Sequence, residues 1–255
     1  MRRLFVFDLD GTLIFGGRPL NPSLEEALAR LAASGAQLVF ATARSRRGVR
    51  SVLPSWCLEG LIIFCNGAFA ELDGRRIAES TLDPIVGERL RERLEAAGVA
   101  YVMEMGDFYY HRAGDHPYYK DLAREGPGEL LHDPPLSGRG LYKITALAAA
   151  ESEVMNAITY GLDPKTVQVI AHGDGSSDFL APGCSKWTCL ALALPKEHLG
   201  SMVVFGNDRN DRELFEHGSR CVAVGDGCPE LLASAHEVIP GTSGAVRKRI
   251  MEILG

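Results

Sequence analysis

Short apolar runs alternate with amphipathic segments at both ends of the chain, and this alternation predicts the core of the fold. Five runs have the length and the turn-like boundaries of buried strands; they span 4–7, 37–41, 61–65, 202–205 and 221–224. After the first run, Ser23-Leu24-Glu25-Glu26 has the form of a capping box, and Gly35 is placed to end the helix. Further helices are predicted over 212–217, 229–235 and 243–254. Strands separated by helices indicate right-handed βαβ units and a parallel sheet.

The middle of the chain has a different pattern. An amphipathic helix follows Asp83-Pro84 and ends at Gly98, and the tyrosine-rich stretch 99–112 alternates as an antiparallel hairpin does. The glycine- and proline-rich stretch 126–140 predicts a loop. The segments after it predict a strand, a helix and two strands, over 141–147, 151–160, 166–171 and 177–180. We therefore expect a discontinuous core domain, 1–81 and 184–255, interrupted by an α+β domain over 82–183.

Composition excludes several classes of protein. The 255 residues are 46% hydrophobic and 24% charged, which is typical of a soluble globular protein. The net charge of -6 and the lack of a long basic block argue against nucleic-acid binding. No apolar run approaches the roughly 18 residues that a membrane span needs. The six cysteines include no Cys-x-x-Cys pair, so we expect neither a zinc site nor a disulfide framework, and the reducing cytoplasm is the expected compartment.

Two carboxylates directly follow the first predicted strand, in the segment Asp8-Leu9-Asp10-Gly11-Thr12. In open parallel sheets ligands bind at the carboxyl ends of the strands, so this pair lies where an active site is expected. Buried carboxylates need a metal, a basic partner or a shifted pKa. Taken alone, the segment is also compatible with an ordinary strand end followed by a solvated Asp-Gly turn.

Three further segments bring polar side chains to a strand end or a helix start. They are Thr42-Ala43-Arg44, Cys184-Ser185-Lys186 and 206–211. Each has an ordinary interpretation by itself: a threonine that ends a strand, a solvated lysine, a helix N-cap. Together the four segments supply carboxylates, a hydroxyl, an ammonium and an Asn/Asp cluster, and that inventory suits phosphoryl transfer with a divalent cation.

In this order and spacing, the segments resemble the motifs of the haloacid dehalogenase superfamily, and the whole chain resembles its Cof-type phosphatases. Motif one is similar to the first segment, motif two to Thr42, motif three to Lys186 and motif four to 206–211. A turn that is common in the subfamily resembles Asn66-Gly67-Ala68. The resemblance implies an α/β fold, in which a Rossmann-like core with a parallel sheet carries a large α+β cap inserted after the third core strand.

The resemblance also implies the chemistry. Asp8 is the expected nucleophile, which forms an aspartyl-phosphate. Asp10 is the expected acid for the leaving group and base for the water. Lys186 completes the catalytic group by offsetting the charge of Asp8. Mg²⁺ is the implied cofactor, bound by Asp8, the backbone carbonyl of Asp10 and Asn207.

Further residues are implied in supporting roles. Those expected to bind the phosphoryl group are Leu9, Thr42, Ala43, Lys186 and Asn210. Those expected to orient the lysine and the metal ligands are Thr12, Asp208 and Asp211.

Two positions depart from the family pattern. Asn207 stands where the family usually has an acid, so the site loses one negative charge; we expect weaker metal binding, with Asp208 as a possible substitute ligand. Trp187 stands where the family often has glycine, and its ring could shape either the phosphate pocket or the cap hinge.

The leading hypothesis for function is a Mg²⁺-dependent phosphatase of small phosphorylated metabolites, with sugar phosphates favoured. One alternative is a phosphotransferase or phosphomutase, which passes the phosphoryl group to a sugar hydroxyl. Another is a weakly catalytic protein that binds a phosphorylated ligand. The expected partner is the small-molecule substrate alone, with the chain a monomer or a homodimer.

Overall fold

The computed structural model describes residues 3–112, 116–122, 128–133, 139–149 and 151–255. Its strands are β1 (Leu4–Phe7), β2 (Gln37–Ala41), β3 (Leu61–Phe64), β4 (Phe69–Leu72), β5 (Arg75–Glu79), β6 (Tyr101–Met105), β7 (Phe108–His111), β8 (Glu129–Leu130), β9 (Lys143–Ala146), β10 (Gln168–Ala171), β11 (Ser177–Leu180), β12 (Met202–Gly206), β13 (Arg220–Val224) and β14 (Glu237–Ile239). Its helices are α1 (Pro22–Ala33), α2 (Arg46–Arg50), α3 (Pro84–Ala96), α4 (Pro117–Leu122), α5 (Glu153–Thr159), α6 (Lys186–Ala193), α7 (Lys196–Leu199), α8 (Arg212–His217), α9 (Pro229–Ser234) and α10 (Ser243–Leu254). Short 3-10 turns span Ser55–Glu59, Cys65–Gly67 and Arg209–Asp211.

The chain divides into two compact units. The core unit consists of Met1–Ala43, Val52–Ala78 and Ser185–Gly255, and the inserted unit consists of Arg44–Ser51 and Glu79–Cys184. The segment Arg44–Ser51 groups with the inserted unit, whereas the sequence analysis placed these residues within 1–81.

The sheet of the core unit has the strand order β14-β13-β12-β1-β2-β3-β4-β5 within the described residues. The strands from β14 to β3 pair in parallel, and β4 runs antiparallel to β3. The predicted α/β class with a parallel sheet is therefore confirmed. The sequence analysis missed β4, β5 and β14; β5 is largely exposed and β14 has only three residues, so neither carries a continuous apolar run that periodicity could reveal.

The central strands are buried on both faces, which explains why their sequences are continuous apolar runs rather than alternating ones. All residues of β1 are buried. Phe7 stacks on Phe205 of β12 with ring centroids 4.9 Å apart, and Val6 packs in one cluster with Val39 and Val204. Each such buried side chain contributes roughly 1.5–3 kcal/mol to the free energy of folding.

Two helix starts show how local sequence sets the geometry. Asn21 caps α1, since its side chain accepts a hydrogen bond from the Ser23 backbone N–H at 3.0 Å. The predicted capping box at Ser23 is therefore wrong, because Pro22 suits the first helical position and the helix begins there. Ser185 caps α6 by accepting from the Thr188 N–H at 3.0 Å, which makes Lys186 the first residue of that helix.

The inserted unit is a mainly antiparallel sheet with helices packed on it. Its strand order is β10-β11-β9-β6-β7-β8 within the described residues. Leu90 and Leu94 of α3 and Met155 of α5 share a buried cluster with Met103 and Ile144 of the sheet. Helix α4 packs against the opposite face of the sheet in a second, smaller apolar cluster, so helices contact both faces.

Part of the predicted loop 126–140 is wrong. Glu129–Leu130 forms β8, which pairs in parallel with β7 through Phe108 and Tyr109. A strand of two exposed residues has too little apolar periodicity to be predicted. Residues 126, 127 and 134–138 of that prediction lie outside the described residues.

A buried ion pair ties Arg44–Ser51 to the inserted unit. The guanidinium of Arg47 donates to both carboxylate oxygens of Glu104, at 2.9 and 3.0 Å, and lies 4.0 Å from the ring centroid of Tyr109. Arg47 is fully buried and Glu104 nearly so. Removing one partner of such a pair leaves a buried charge uncompensated and costs about 3–5 kcal/mol. In the described part of the chain, no helix is long and apolar enough to cross a membrane.

Candidate active site

The four strands β12, β1, β2 and β3 lie side by side in that order. Each is followed by a polar residue: Asn207, Asp8, Thr42 and, after Cys65, Asn66. Parallel neighbours end at the same edge of the sheet, so the topology gathers these residues at one carboxyl edge. All four belong to the core unit.

A buried charge cluster forms the centre of the site. The Lys186 ammonium donates to Asp8 Oδ1 and to Asp211 Oδ1, both at 2.7 Å. All three side chains are buried. One ammonium thus faces two carboxylates, and Asp8 Oδ2 has no hydrogen-bond partner among the described residues although it is buried.

The cluster shifts the pKa values of its members. Burial by itself would lower the pKa of Lys186, but the adjacent Asp211 and Asp8 carboxylates raise it, so the lysine is charged. Burial, helped by Asp211 and Asp10, raises the pKa of Asp8 to about 7, although Lys186 acts in the opposite direction. Lys186 is shared with Asp211, so the negative charge of Asp8 is incompletely compensated within the cluster.

Asp211 holds the loop after β12 in place. Its Oδ2 accepts from the backbone N–H groups of Asn207 and Asp208, at 2.9 and 3.2 Å, while its Oδ1 accepts from Lys186. Asp208 Oδ1 accepts from the Arg209 N–H at 2.8 Å, so its side chain caps the 3-10 turn. Of the two acids Asp208 and Asp211, Asp211 therefore holds both the loop and Lys186.

Asn207 packs against the loop after β1. Thr12 Oγ1 donates to Asn207 Oδ1 at 3.2 Å. A Cβ placed on Gly11 would lie 2.1 Å from Asn207 Nδ2, and Gly11 has a φ of 80°, so glycine is required there for both reasons. The structure thus places Thr12 beside Asn207. The described residues contain no group of three or more His, Cys, Asp or Glu side chains that could hold a metal ion.

The loop after β1 is a tight turn around one carbonyl. Leu9 O accepts from the N–H groups of Thr12, Leu13 and Ile14 at 3.1, 2.8 and 2.8 Å. The Leu9 side chain is buried, and the Asp10 side chain is exposed. The turn therefore places the two acids in different environments, with Asp8 in the buried cluster and Asp10 open to solvent.

A second set of contacts links the loops after β2, β3 and β12. The Asn66 N–H donates to Thr42 O at 2.9 Å, and Asn210 Nδ2 donates to Asn66 Oδ1 at 2.9 Å. Asn210 Oδ1 is buried and has no hydrogen-bond partner in the described part of the chain. The sequence analysis did not include Asn66 among the candidate site residues; an Asn-Gly pair directly after a buried strand was the available signal.

Trp187 lies in the packing between two helices. Its ring stacks on His217 of α8 with centroids 3.9 Å apart, and it contacts the buried core cluster. Neither the phosphate pocket nor a hinge is needed to explain a bulky residue at this position.

Comparison with known proteins agrees with the topology. A family model described as haloacid dehalogenase-like hydrolase matches residues 5–245. The chain belongs to this family. The resemblance inferred from the four motifs is thereby confirmed, and the protein is an enzyme of the hydrolase class.

Curated and solved relatives cover nearly the whole chain. An HMP-PP phosphatase from Cronobacter sakazakii is 28% identical over 244 residues, which cover 91% of this chain and 88% of that protein. A structure from Streptococcus mutans superposes with a TM-score of 0.86 at 19% identity, covering 100% and 99% of the two chains. A sugar phosphatase of HAD subclass IIB gives a TM-score of 0.81 at 17% identity, covering 98% of each chain. These structures support the same fold.

Proposed function

We propose that the protein is a Mg²⁺-dependent phosphatase of small phosphorylated metabolites, sugar phosphates being the favoured class, and that it acts through an aspartyl-phosphate on Asp8. The observation that carries the proposal is the environment of Asp8. Lys186 holds one carboxylate oxygen at 2.7 Å, and the other oxygen has no hydrogen-bond partner among the described residues. The bond to Lys186 fixes the orientation of the carboxylate, as a nucleophile requires. The HMP-PP phosphatase and sugar phosphatase relatives support the substrate class.

In the first step, a carboxylate oxygen of Asp8 attacks phosphorus, and the bond from phosphorus to the alcohol oxygen breaks. Asp10 donates a proton to that oxygen, so the alcohol leaves neutral. The exposed side chain of Asp10 suits a group that must meet substrate and water. The buried Lys186 ammonium stabilises the charge that develops on the phosphoryl oxygens.

In the second step, the Asp10 carboxylate accepts a proton from water as the water oxygen attacks phosphorus. The bond between phosphorus and Asp8 breaks, which releases inorganic phosphate and restores both carboxyl groups to their starting states. Two displacements through one intermediate replace a single difficult one.

The remaining predicted residues bind the phosphoryl group. Thr42, Lys186 and Asn210 offer polar side chains from the end of β2, the start of α6 and the 3-10 turn after β12. Leu9 and Ala43 have apolar side chains, so we expect them to contribute backbone groups. The Leu9 carbonyl is already occupied by three donors, which leaves its N–H as the group directed to a phosphate oxygen.

The donor set of the site fits Mg²⁺. The oxygen ligands that this ion prefers would come from Asp8, Asn207 and the backbone carbonyl of Asp10. The unpartnered Asp8 Oδ2 is a buried anionic atom that a cation would satisfy. Asn207 is neutral, and its Oδ1 already accepts from Thr12, so we expect weaker binding than an aspartate would give. When bound, the ion allows an anionic nucleophile to approach an anionic phosphate.

Release of inorganic phosphate from p-nitrophenyl phosphate and from a panel of sugar monophosphates tests the proposal. We expect turnover with Mg²⁺, loss with EDTA and recovery on adding Mg²⁺ back. Asp8→Asn lowers kcat at least about a thousandfold, because it removes the nucleophile. Asp73→Asn, the same substitution in an exposed turn of the core unit, leaves kcat unchanged.

Each contrary result has a definite meaning. Full activity of Asp8→Asn excludes Asp8 as the nucleophile. An isomeric sugar phosphate formed without phosphate release identifies a phosphomutase. Tight binding of a sugar phosphate with no Mg²⁺-dependent hydrolysis identifies a binding protein.

A further inference from the structure

Directly after β3, the chain makes an unusual turn next to the site. Cys65, Asn66 and Gly67 have consecutive positive φ angles of 49°, 57° and 96°. Asn66 is fully buried and lies in the left-handed helical region at φ 57° and ψ 29°. Asparagine tolerates this region better than most residues other than glycine. Non-glycine residues held there are strained and cluster at functional sites.

The turn contacts the loops that carry three of the motifs. Asn66 N–H donates to the carbonyl of Thr42, and Asn66 Oδ1 accepts from Asn210. A Cβ on Gly67 would lie 2.0 Å from Ser185 O, so the backbone of the turn packs directly against the residue before Lys186. The turn therefore contacts the phosphate-binding threonine, the loop after β12 and the start of the lysine helix.

These contacts span the strand that carries the nucleophile. In the sheet, β2 and β1 lie between β3 and β12, and three strand spacings separate β3 from β12 by about 14 Å. The hydrogen bond between Asn66 and Asn210 joins the loops after those two outer strands. This bond therefore connects the loop on one side of Asp8 with the loop on the other side.

We propose that Asn66 is a positioning residue of the phosphatase site, which fixes Thr42, Asn210 and the Lys186 helix start relative to one another so that together they bind the phosphoryl group. This role rests on the proposed function. Asn66 acts through its neighbours and needs no contact with the substrate. The left-handed conformation lets Asn66 direct its backbone N–H toward Thr42 and its side-chain oxygen toward Asn210 at the same time. The turn is required for this reason.

The variant Asn66→Gly tests the role, since glycine accepts the left-handed conformation and removes only the side chain. The matched control is Asp73→Gly, which makes the same change at another non-glycine residue of positive φ, 51°, in an exposed turn of the core unit. We expect Asn66→Gly to lower kcat for p-nitrophenyl phosphate about tenfold and to weaken binding of inorganic phosphate, measured by calorimetry, about fivefold, as expected for loss of one buried hydrogen bond. Asp73→Gly changes neither quantity.

The two readouts separate positioning from folding. Partial unfolding lowers the active fraction and so lowers kcat, but it leaves the phosphate affinity of the folded molecules unchanged. An unchanged phosphate affinity in Asn66→Gly, or a kcat within twofold of the wild type, overturns the proposal. A wild type that binds phosphate without turnover overturns the proposed function instead, and the affinity comparison still decides the role of Asn66.

A double-mutant cycle with Asn210→Ala tests the bond itself. If Asn66 acts through Asn210, Asn210→Ala weakens phosphate binding less in the Asn66→Gly background than in the wild type. If Asn66→Gly does not fold, Asn66→Asp carries the test, because it keeps both the turn preference and the accepting oxygen. Asn210→Ala must then cost the same factor in Asn66→Asp as in the wild type. Additive effects in the first cycle, or a smaller cost in the second, overturn the proposal.

Discussion

Two buried carboxylates, one in each unit, have opposite pKa shifts. In the inserted unit, Asp178 accepts from Thr145 Oγ1 at 2.6 Å and from His172 Nε2 at 2.9 Å, and it lies 3.2 Å from the Lys143 ammonium. Burial alone would raise the pKa of Asp178, but Lys143 and His172 lower it to about 2. In the core unit, burial raises the pKa of Asp8 to about 7 despite Lys186.

The difference lies in how completely each carboxylate is satisfied. Asp178 has partners for both oxygens. Asp8 shares its only ammonium partner with Asp211, and its second oxygen has no hydrogen-bond partner within the described residues. Burial favours the neutral form of an acid, and only enough opposite charge and hydrogen bonding overcome it. A satisfied buried acid stabilises the fold, whereas an unsatisfied one is available for chemistry.

The largest expected difference is in stability. Asp178→Asn leaves the buried Lys143 without its carboxylate and should lower the free energy of unfolding by about 3–5 kcal/mol. Asp8→Asn should change it by less than about 1 kcal/mol, because Lys186 keeps Asp211 and an unsatisfied charge is removed. Urea unfolding followed by circular dichroism measures both, with Asp73→Asn as the control.

A loss below 1 kcal/mol in Asp178→Asn would contradict the assignment of Asp178 as a structural group. The double variant Lys143→Met with Asp178→Leu sharpens the result. Replacing both charges with apolar side chains of similar volume should recover most of the lost stability.

The next effect is a loss of stability in acid. The folded-state pKa of Asp178, about 2, lies below the ordinary value of 3.8, so its contribution is present above pH 4 and is lost as the pH falls through 2. A shift of this size corresponds to about 2 kcal/mol. The difference in unfolding free energy between wild type and Asp178→Asn should therefore shrink by about that amount between pH 5 and pH 2. A constant difference over this range would refute the linkage.

The smallest effect concerns the metal. Asn207→Asp adds the negative charge that the family usually has at this position, and it should lower the Mg²⁺ concentration for half-maximal activity about tenfold, or about 1.4 kcal/mol. Asn156→Asp, at an exposed position of α5 in the inserted unit, is the matched control. An unchanged Mg²⁺ requirement in Asn207→Asp would remove Asn207 from the proposed metal ligands.

Residue patterns along the chain were enough to predict the α/β class, the central strands and the candidate chemistry. Apolar runs bounded by turn residues locate β1, β2, β3, β12 and β13, and polar residues directly after them mark the carboxyl edge. Apolar runs are local signals, so a few residues are enough to reveal a strand. Asp8 and Lys186 became candidates only through the order of four short segments, because each segment alone also has an ordinary interpretation.

Which polar groups find hydrogen-bond or charge partners depends, by contrast, on the folded structure. Asn66 and Asn210 are 144 positions apart, and nothing local to either residue specifies their bond. Arg47 belongs with the inserted unit because its charge is buried against Glu104, 57 positions away. Asp8 and Asp178 each stand next to a phenylalanine in the sequence, yet their pKa values move in opposite directions. Burial and partner charges from distant segments set those values, and these come together only when the chain folds.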